Sequence, residues 1–421
     1  VNRNEHAEPE RNNDDHVGPD LEPQPEAVGH GRHGCRRAIA IVLLLVGIAG
    51  GYFLGTYLNK STTSTSKTTL TETGSSLLYP LMESWGPAYT NYTPNVILSP
   101  ASTGSGTGQS YAEQGLVNIG ASDGYLANAS ATNVINVPVA ISSQLIWYNL
   151  PGVPGHLNLN GTILAMMYSG AITTWNNPLI LAAQDAAQVT ALNGLSSETI
   201  HLIARGDSSG DTFLFSSYCD MSWSGWTFGA STTALSGDKT SGITFDTGNS
   251  GMVTGVEGQS GAIAYIGISY MSKVSGTGLN YAALGDNLSN SASGGVNSAN
   301  YVLWSPANVS ADATLGLTHL DFATYGLAVT LILGGSPYGA ITLQTGGGGS
   351  NPTPGTTPYP ITNLEYTLVK TTAQANSQAI VGFLSWAISY GNAAQYLTPI
   401  GFVPLTAEVA GYDMQELATI Q

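Results

Sequence analysis

The chain has 421 residues, 42% hydrophobic and only 9% charged, with 52 glycines and a formal net charge of −16 at pH 7. That length holds two ordinary domains, the hydrophobic content excludes a disordered chain, and the acidic balance excludes nucleic acid, whose phosphates need clustered Lys and Arg. Two cysteines, Cys35 and Cys219, flank an apolar run; they exclude a disulfide framework and a cysteine zinc site, and the scattered histidines offer no metal cluster.

Residues 1–37 open with an acidic, proline-containing stretch expected to be a disordered cytoplasmic tail. Ala38 to Leu58, AIAIVLLLVGIAGGYFLGTYL, carries no charge over 21 residues, the length that crosses a bilayer core. Arg32, Arg36 and Arg37 precede it, so the positive-inside rule puts the N-terminus in the cytoplasm and the remainder outside. The long acidic stretch ahead of it favours an uncleaved single-pass anchor over a cleaved signal peptide. Residues 59–71, rich in Ser and Thr, read as a flexible stalk. Glycosylation sequons stand at Asn59, Asn91, Asn128, Asn160, Asn287 and Asn308, suiting an extracellular glycoprotein.

From about Leu70, short β-like runs alternate with helical patterns, which predicts an α/β ectodomain. Three stretches share one plan. TLTETGSSLLYPLMESW (69–85) runs from a strand through Gly74-Ser75-Ser76 into apolar residues at helical spacing. VILSPASTGSGTGQS (96–110) does the same through Gly104-Ser105-Gly106. HLIARGDSSGDTFLFSSY (201–218) does so through Gly206 to Asp211. Each would start a helix whose first N–H groups lack internal partners and carry a partial positive charge, so three converging ends would hold an anion.

Arg205 is the only arginine after residue 37; from Glu72 onward it has only Lys239, Lys273 and Lys370 as fellow cations, against nineteen acids. Long-range steering therefore cannot attract an anion, and a local site must, with Arg205 offering a fork to two oxygens. In VNIGASDGYL (117–126), Asp123 follows a short strand. Beside an anion cage, its carboxylate would accept a proton from the ligand.

These stretches, with YNLPGVPGHLNLNGTILAMMYSGAITTWNNP (148–178), NSGMVTGVEGQSGAIAYIGISY (249–270) and YPITNLEYTLV (359–369), resemble the PstS family, the phosphate-binding components of phosphate ABC importers, most closely in the actinobacterial lipoprotein form. The resemblance implies a two-lobed, type II periplasmic-binding-protein clamshell, preceded here by the N-terminal transmembrane helix read at 38–58 in place of the family's usual cleaved signal or lipid. Lobe 1 would comprise 72–150 plus 357–421 and lobe 2 residues 151–350. A Gly/Pro-rich loop at about 345–358 would mark the return between lobes. It implies inorganic phosphate as ligand, held by Ser75, Ser76, Leu77, Leu78, Ser105, Asp123, Arg205, Ser209, Gly210 and Asp211. It also implies delivery to a phosphate ABC permease in the membrane, from a monomeric ectodomain that is not an enzyme and uses no cofactor or metal. Asp211 stands where many members carry Thr, and two carboxylates would favour a more protonated phosphate.

Two other readings compete. Gly206, Ser208 and Gly210 spell G-x-S-x-G, a serine-hydrolase elbow, yet only His319 follows to complete a triad. A surface sensor or adhesive protein on the same fold would also suit the anchor, stalk and sequons.

Overall fold

The computed structural model describes residues 67–126, 129–195, 199–236, 242–274, 276–285, 301–317 and 359–421. The expected tail and anchor, residues 1–58, lie outside them, as do His319 and the Gly/Pro-rich stretch 345–358. Among the described residues no helix is long and apolar enough to cross a membrane.

The strands are β1 (Thr68–Gly74), β2 (Val96–Ser99), β3 (Ile119–Ser122), β4 (Val134–Tyr148), β5 (Asn158–Leu159), β6 (His201–Arg205), β7 (Ile243–Asp246), β8 (Ala262–Gly267), β9 (Asn280–Tyr281), β10 (Ala283–Gly285), β11 (Tyr301–Val302) and β12 (Thr362–Lys370). Helices of eight residues or more are α1 (Tyr79–Tyr92), α2 (Ser105–Gln114), α3 (Gly161–Tyr168), α4 (Ala186–Gly194), α5 (Gly210–Ser222), α6 (Gly248–Gly258), α7 (Pro306–Leu317), α8 (Ser377–Ala387) and α9 (Ala407–Leu417).

A nine-stranded sheet runs β2-β1-β3-β12-β4-β8-β6-β7, with β9 also on β4. Its first three strands are mutually parallel, and so are β8, β6 and β7. β4 joins the two groups. Its residues Val134–Ser143 pair antiparallel with β12, and Gln144–Tyr148 pair antiparallel with β8. A small sheet, β11-β10-β5, stands apart in pairing. Short β-to-α turns at the carboxyl ends of β1, β6 and β7 lead directly into α1, α5 and α6, the place where α/β sheets bind ligands.

β1 begins at Thr68, inside the stretch 59–71 expected as a stalk. Ser and Thr suggested a linker, but threonine is also β-branched and favours extended backbone. Here Leu70 and Glu72 are buried while Thr69 and Thr71, alternating with them, are exposed, and the strand has partners on both sides. The sequon at Asn160 also fails as a glycan acceptor. Asn160 is buried, and its side chain accepts the Ile163 N–H at 2.9 Å to cap α3.

α1 buries Leu81, Met82, Trp85 and Tyr89. Trp85 meets Phe383 of α8 edge-on, with ring centroids 6.3 Å apart, and its indole N–H donates to Gly391 O at 3.0 Å. On the other side of β1, a seam of glycines brings α2 onto the sheet. A Cβ on Gly108 would stand 2.3 Å from Ala121 O and 2.9 Å from Gly74 Cα. A Cβ on Gly120 would stand 2.4 Å from Gly108 O. This close approach carries Ser105, the first residue of α2, to Asp123 just after β3.

Gly108→Val should therefore cost roughly 1–3 kcal/mol through overpacking, read as a lower urea midpoint. Gly411→Ala, in α9 with open space around it, should instead stabilise by about 0.5–1 kcal/mol. Equal effects of the two substitutions would contradict the close-packed seam.

Candidate anion site

Four strand-to-helix turns meet around Arg205. Ser75 Oγ accepts the Leu78 N–H at 2.9 Å, holding the turn before α1, and donates to Asp123 Oδ1. Ser105 Oγ donates to Asp123 Oδ2 at 3.2 Å and accepts the Asp123 N–H at 3.2 Å. Gly106 N donates to Ser208 O at 3.0 Å, tying the second turn to the third. Ser76 Oγ accepts from Asn249 N at 3.2 Å and Asn249 Nδ2 at 3.0 Å, tying the first turn to α6.

Gly210 opens α5, and a Cβ there would stand 2.4 Å from Asp123 Oδ2 and 2.6 Å from Ser105 Oγ. Only glycine lets this helix end approach Asp123. Ser209 caps the same helix, its Oγ accepting the Thr212 N–H at 3.4 Å. Gly104, with φ +90°, faces Asp207 in the same way, a Cβ there falling 2.6 Å from Asp207 Oδ2.

Arg205 is 1% exposed. Its Nε donates to Asp207 Oδ1 at 2.7 Å, Nη2 to Asp207 Oδ2, and Nη1 to Asp211 Oδ2 at 2.8 Å. Below it, Tyr265 Oη accepts the Arg205 N–H at 2.9 Å and bonds Thr212 Oγ1 at 2.8 Å. The Tyr265 ring stacks on Phe215 at 4.6 Å, and Phe215 packs on Tyr168 at the same distance. An aromatic floor thus fixes the arginine's backbone while two carboxylates fix its guanidinium. Burial works against the cation, but the Asp207 hydrogen bonds and the Asp211 and Asp207 charges outweigh it and raise the Arg205 pKa. Asp207 is held below its ordinary value: burial would raise it, and the Arg205 hydrogen bonds and charge, with the Gly248 N–H, overcome that.

The other carboxyls behave oppositely. Burial first, then the Asp123 charge, pushes Asp211 up to about 7, against the pull of Arg205, Gln144 and Asn249. Burial likewise raises Asp123, against hydrogen bonds from Glu365, Ser75 and Ser105 and the Arg205 charge. One fixed cation and its ionised partner Asp207 thus stand among helix ends and serines, beside two carboxyls that burial raises.

The sequence of residues 59–390 matches the PBP superfamily domain. The chain belongs to the PBP superfamily. It is 30% identical over 232 residues to the phosphate-binding protein PstS of Xylella fastidiosa, an alignment that covers 53% of this chain and 60% of that one. The chain therefore spans about three fifths of the length of that curated relative. Among solved structures, the ancestral soluble variant of the human phosphate-binding protein superposes with a TM-score of 0.59 at 19% identity, covering 82% of this chain and 92% of that one. The phosphate-binding protein from Stenotrophomonas maltophilia gives 0.56 at 19% identity, covering 83% and 93%. These two likenesses show the α/β fold of the superfamily.

Ser75, Ser76, Ser105, Asp123, Arg205, Ser209, Gly210 and Asp211 are brought together as the sequence suggests, and they make the following contacts. The Ser75 N–H donates to Ala121 O at 3.0 Å and the Leu78 N–H to Ser75 Oγ, so these amides hold the turn. Leu77 is fully buried, and its carbonyl accepts from Ser269 Oγ at 2.7 Å. Asp211 anchors Arg205 and also receives Gln144 Nε2 at 3.1 Å and Asn249 Nδ2 at 2.6 Å. Ser208 donates to Thr232 Oγ1 at 2.8 Å.

Sequence reasoning missed Asp207, Asn249, Gln144 and Glu365. Asp207 was open to inspection two residues after Arg205 in the same turn. The Gly248-Asn249-Ser250-Gly251 run at the start of α6 was also visible as a glycine-flanked polar stretch; in the structure Gly248 has φ +65° and its N–H donates to Asp207 Oδ1 at 3.1 Å. Gln144 and Glu365 lie inside strands and carry no such signal.

The raised carboxyls set the sign of the chain's pH response. Asp211, near 7 against an ordinary 3.8, and the buried Glu72 of β1, near 8 against 4.5 because of burial, keep protons in the folded chain that the unfolded chain releases. Their contribution is complete below the ordinary values and is lost as pH rises through the folded ones. Asp207, lowered, acts only on the far acid side. Melting temperature should fall between about pH 5 and pH 8, by the equivalent of a few kcal/mol, and Glu72→Gln should reduce the slope. Circular-dichroism melts across that range check it; a melting temperature rising with pH would contradict it.

Proposed function

We propose that the chain captures inorganic phosphate and is the extracellular substrate-binding component of an ABC transporter, delivering the anion to a membrane permease. The observation that carries this reading is the buried Arg205 among four strand-to-helix turns, with Asp123, just after β3, near enough to feel its charge. Named relatives that are phosphate-binding proteins support the choice of anion. Helix ends and the hydroxyls of Ser76 and Ser209 donate to a tetrahedral anion, Arg205 supplies the one full charge, and Asp123 accepts the ligand's proton. Sulfate has no proton to give at neutral pH, and an acceptor facing its oxygen would go unpaired at a cost of about 1–3 kcal/mol.

Capture would involve two lobes, 72–150 with 357–421 and 151–350, closing about β4, where the strand changes partner between Ser143 and Gln144. The anchor at 38–58 would hold this apparatus at the outer face of the cell membrane.

Calorimetric titration of the full chain with phosphate and with sulfate tests the reading. Phosphate should bind and sulfate should not. Arg205→Ala should abolish binding, and Asp123→Asn should weaken phosphate about tenfold or more while narrowing the discrimination against sulfate. A folded chain that ignores phosphate, or takes sulfate equally well, would overturn the proposal.

A further inference from the structure

Glu365, at the middle of β12, is fully buried. It lies beside Asp123. Its Oε1 accepts Ser142 Oγ, from the neighbouring strand β4, and Asn363 Nδ2 at 3.0 Å. The same Asn363 amide donates to the Asp123 main-chain O at 2.7 Å, so one side chain holds both acids in place. Glu365 Oε2 is buried and meets no protein donor among the described residues. The group beside it is the Asp123 carboxyl, itself an acceptor. Two carboxylates cannot hydrogen-bond each other without a proton between them.

An ionised Asp123 has about four acceptor positions. Ser75 and Ser105 take one on each oxygen, Glu365 can fill a third, and one is left for a ligand's O–H. The charged and titratable groups around this pair are Asp123 from the end of β3, Arg205 from β6, Asp211 from α5, and the phenol of Tyr366 next along β12. Only Arg205 is a cation, and Asp207 and Asp211 already occupy it. Neutralising a second anion at the pair therefore falls to a proton.

We propose that Glu365 is a positioning residue of the anion site: as a neutral acid it donates to Asp123, fixing that carboxylate as the acceptor that reads the ligand's proton. This rests on the phosphate reading above. Burial and the neighbouring Asp123 charge raise the Glu365 pKa well above the ordinary value, in keeping with the geometry. The device has a pH sense. When Glu365 loses its proton, the pair becomes two adjacent buried negative charges facing an anion, so affinity falls as pH rises.

The test titrates inorganic phosphate into the full chain at about pH 5 and about pH 8, for wild type, E365Q and E365L. In E365Q the amide carbonyl accepts from Ser142 and Asn363 and the NH2 group donates to Asp123, with no proton to lose. E365Q should bind within about threefold of wild type at the lower pH and lose less affinity on going to the higher one. The ligand's own ionisation is common to both proteins and cancels in that ratio. E365L, which offers no donor, should lose about tenfold or more at the lower pH, where wild-type Glu365 holds its proton. Equal pH profiles for wild type and E365Q, or wild-type affinity in E365L at the lower pH, would overturn the proposal.

Infrared spectra separate the two readings and do not depend on the ligand. A protonated-carboxyl band present in wild type and lost in E365Q supports the neutral acid even in a chain that binds no phosphate, a result that would overturn the transport reading alone. A band unchanged by E365Q would overturn the neutral Glu365 alone.

Discussion

The site depends on keeping one guanidinium out of water. An arginine 1% exposed is tolerated only when its donors are met and its charge is balanced. Asp207 and Asp211 do both, the first along one edge of the fork and the second at its tip. Their positions two and six residues after Arg205 place the whole triad in a single β-to-α turn. The cation, its counter-ions and the helix end that faces Asp123 are therefore set by one local conformation, and the rest of the chain has to accommodate it.

That accommodation explains several otherwise separate features. Tyr265, stacked on Phe215, accepts the Arg205 N–H and fixes the end of β6. Gln144 and Asn249 also donate to Asp211. Gly104 and Gly210 remove side-chain bulk where the turns bear on Asp207 and Asp123. Asn249 also holds Ser76 and donates no less than three ways around the ring of turns, so α6 belongs to the site as firmly as α1 or α5.

Electrostatics then separate the acids into two kinds. Asp207, in contact with Arg205 along both oxygens, stays ionised. Asp123, Asp211 and Glu365 are fully buried and hold protons more readily than free carboxyls do. In a chain with net charge −16, it is burial, and not a field of lysines, that suppresses negative charge around Arg205. Glu72, buried in β1 away from this cluster, follows the same rule.

The sequence alone determined the α/β class and three of the four helix starts, because glycine-serine turns between β-like and helical patterns are local signals. It singled out Arg205 because a lone arginine in a cation-poor stretch stands out in composition, and Asp123 because it ends a short apolar strand. It misplaced the beginning of β1, since a Ser/Thr-rich stretch reads alike as linker and as strand until its pairing partners are known. Asn160 likewise matched a sequon that only burial rules out. What tertiary structure decided was every role that depends on residues distant in the chain. Glu365 reaches Asp123 across 242 positions because β12 inserts between β3 and β4, and Asn249 reaches Ser76 because two β-to-α turns face each other. A buried acid in a strand looks like any other strand residue until the sheet order shows what stands beside it, and sheet order is a property of long-range pairing that no local pattern encodes.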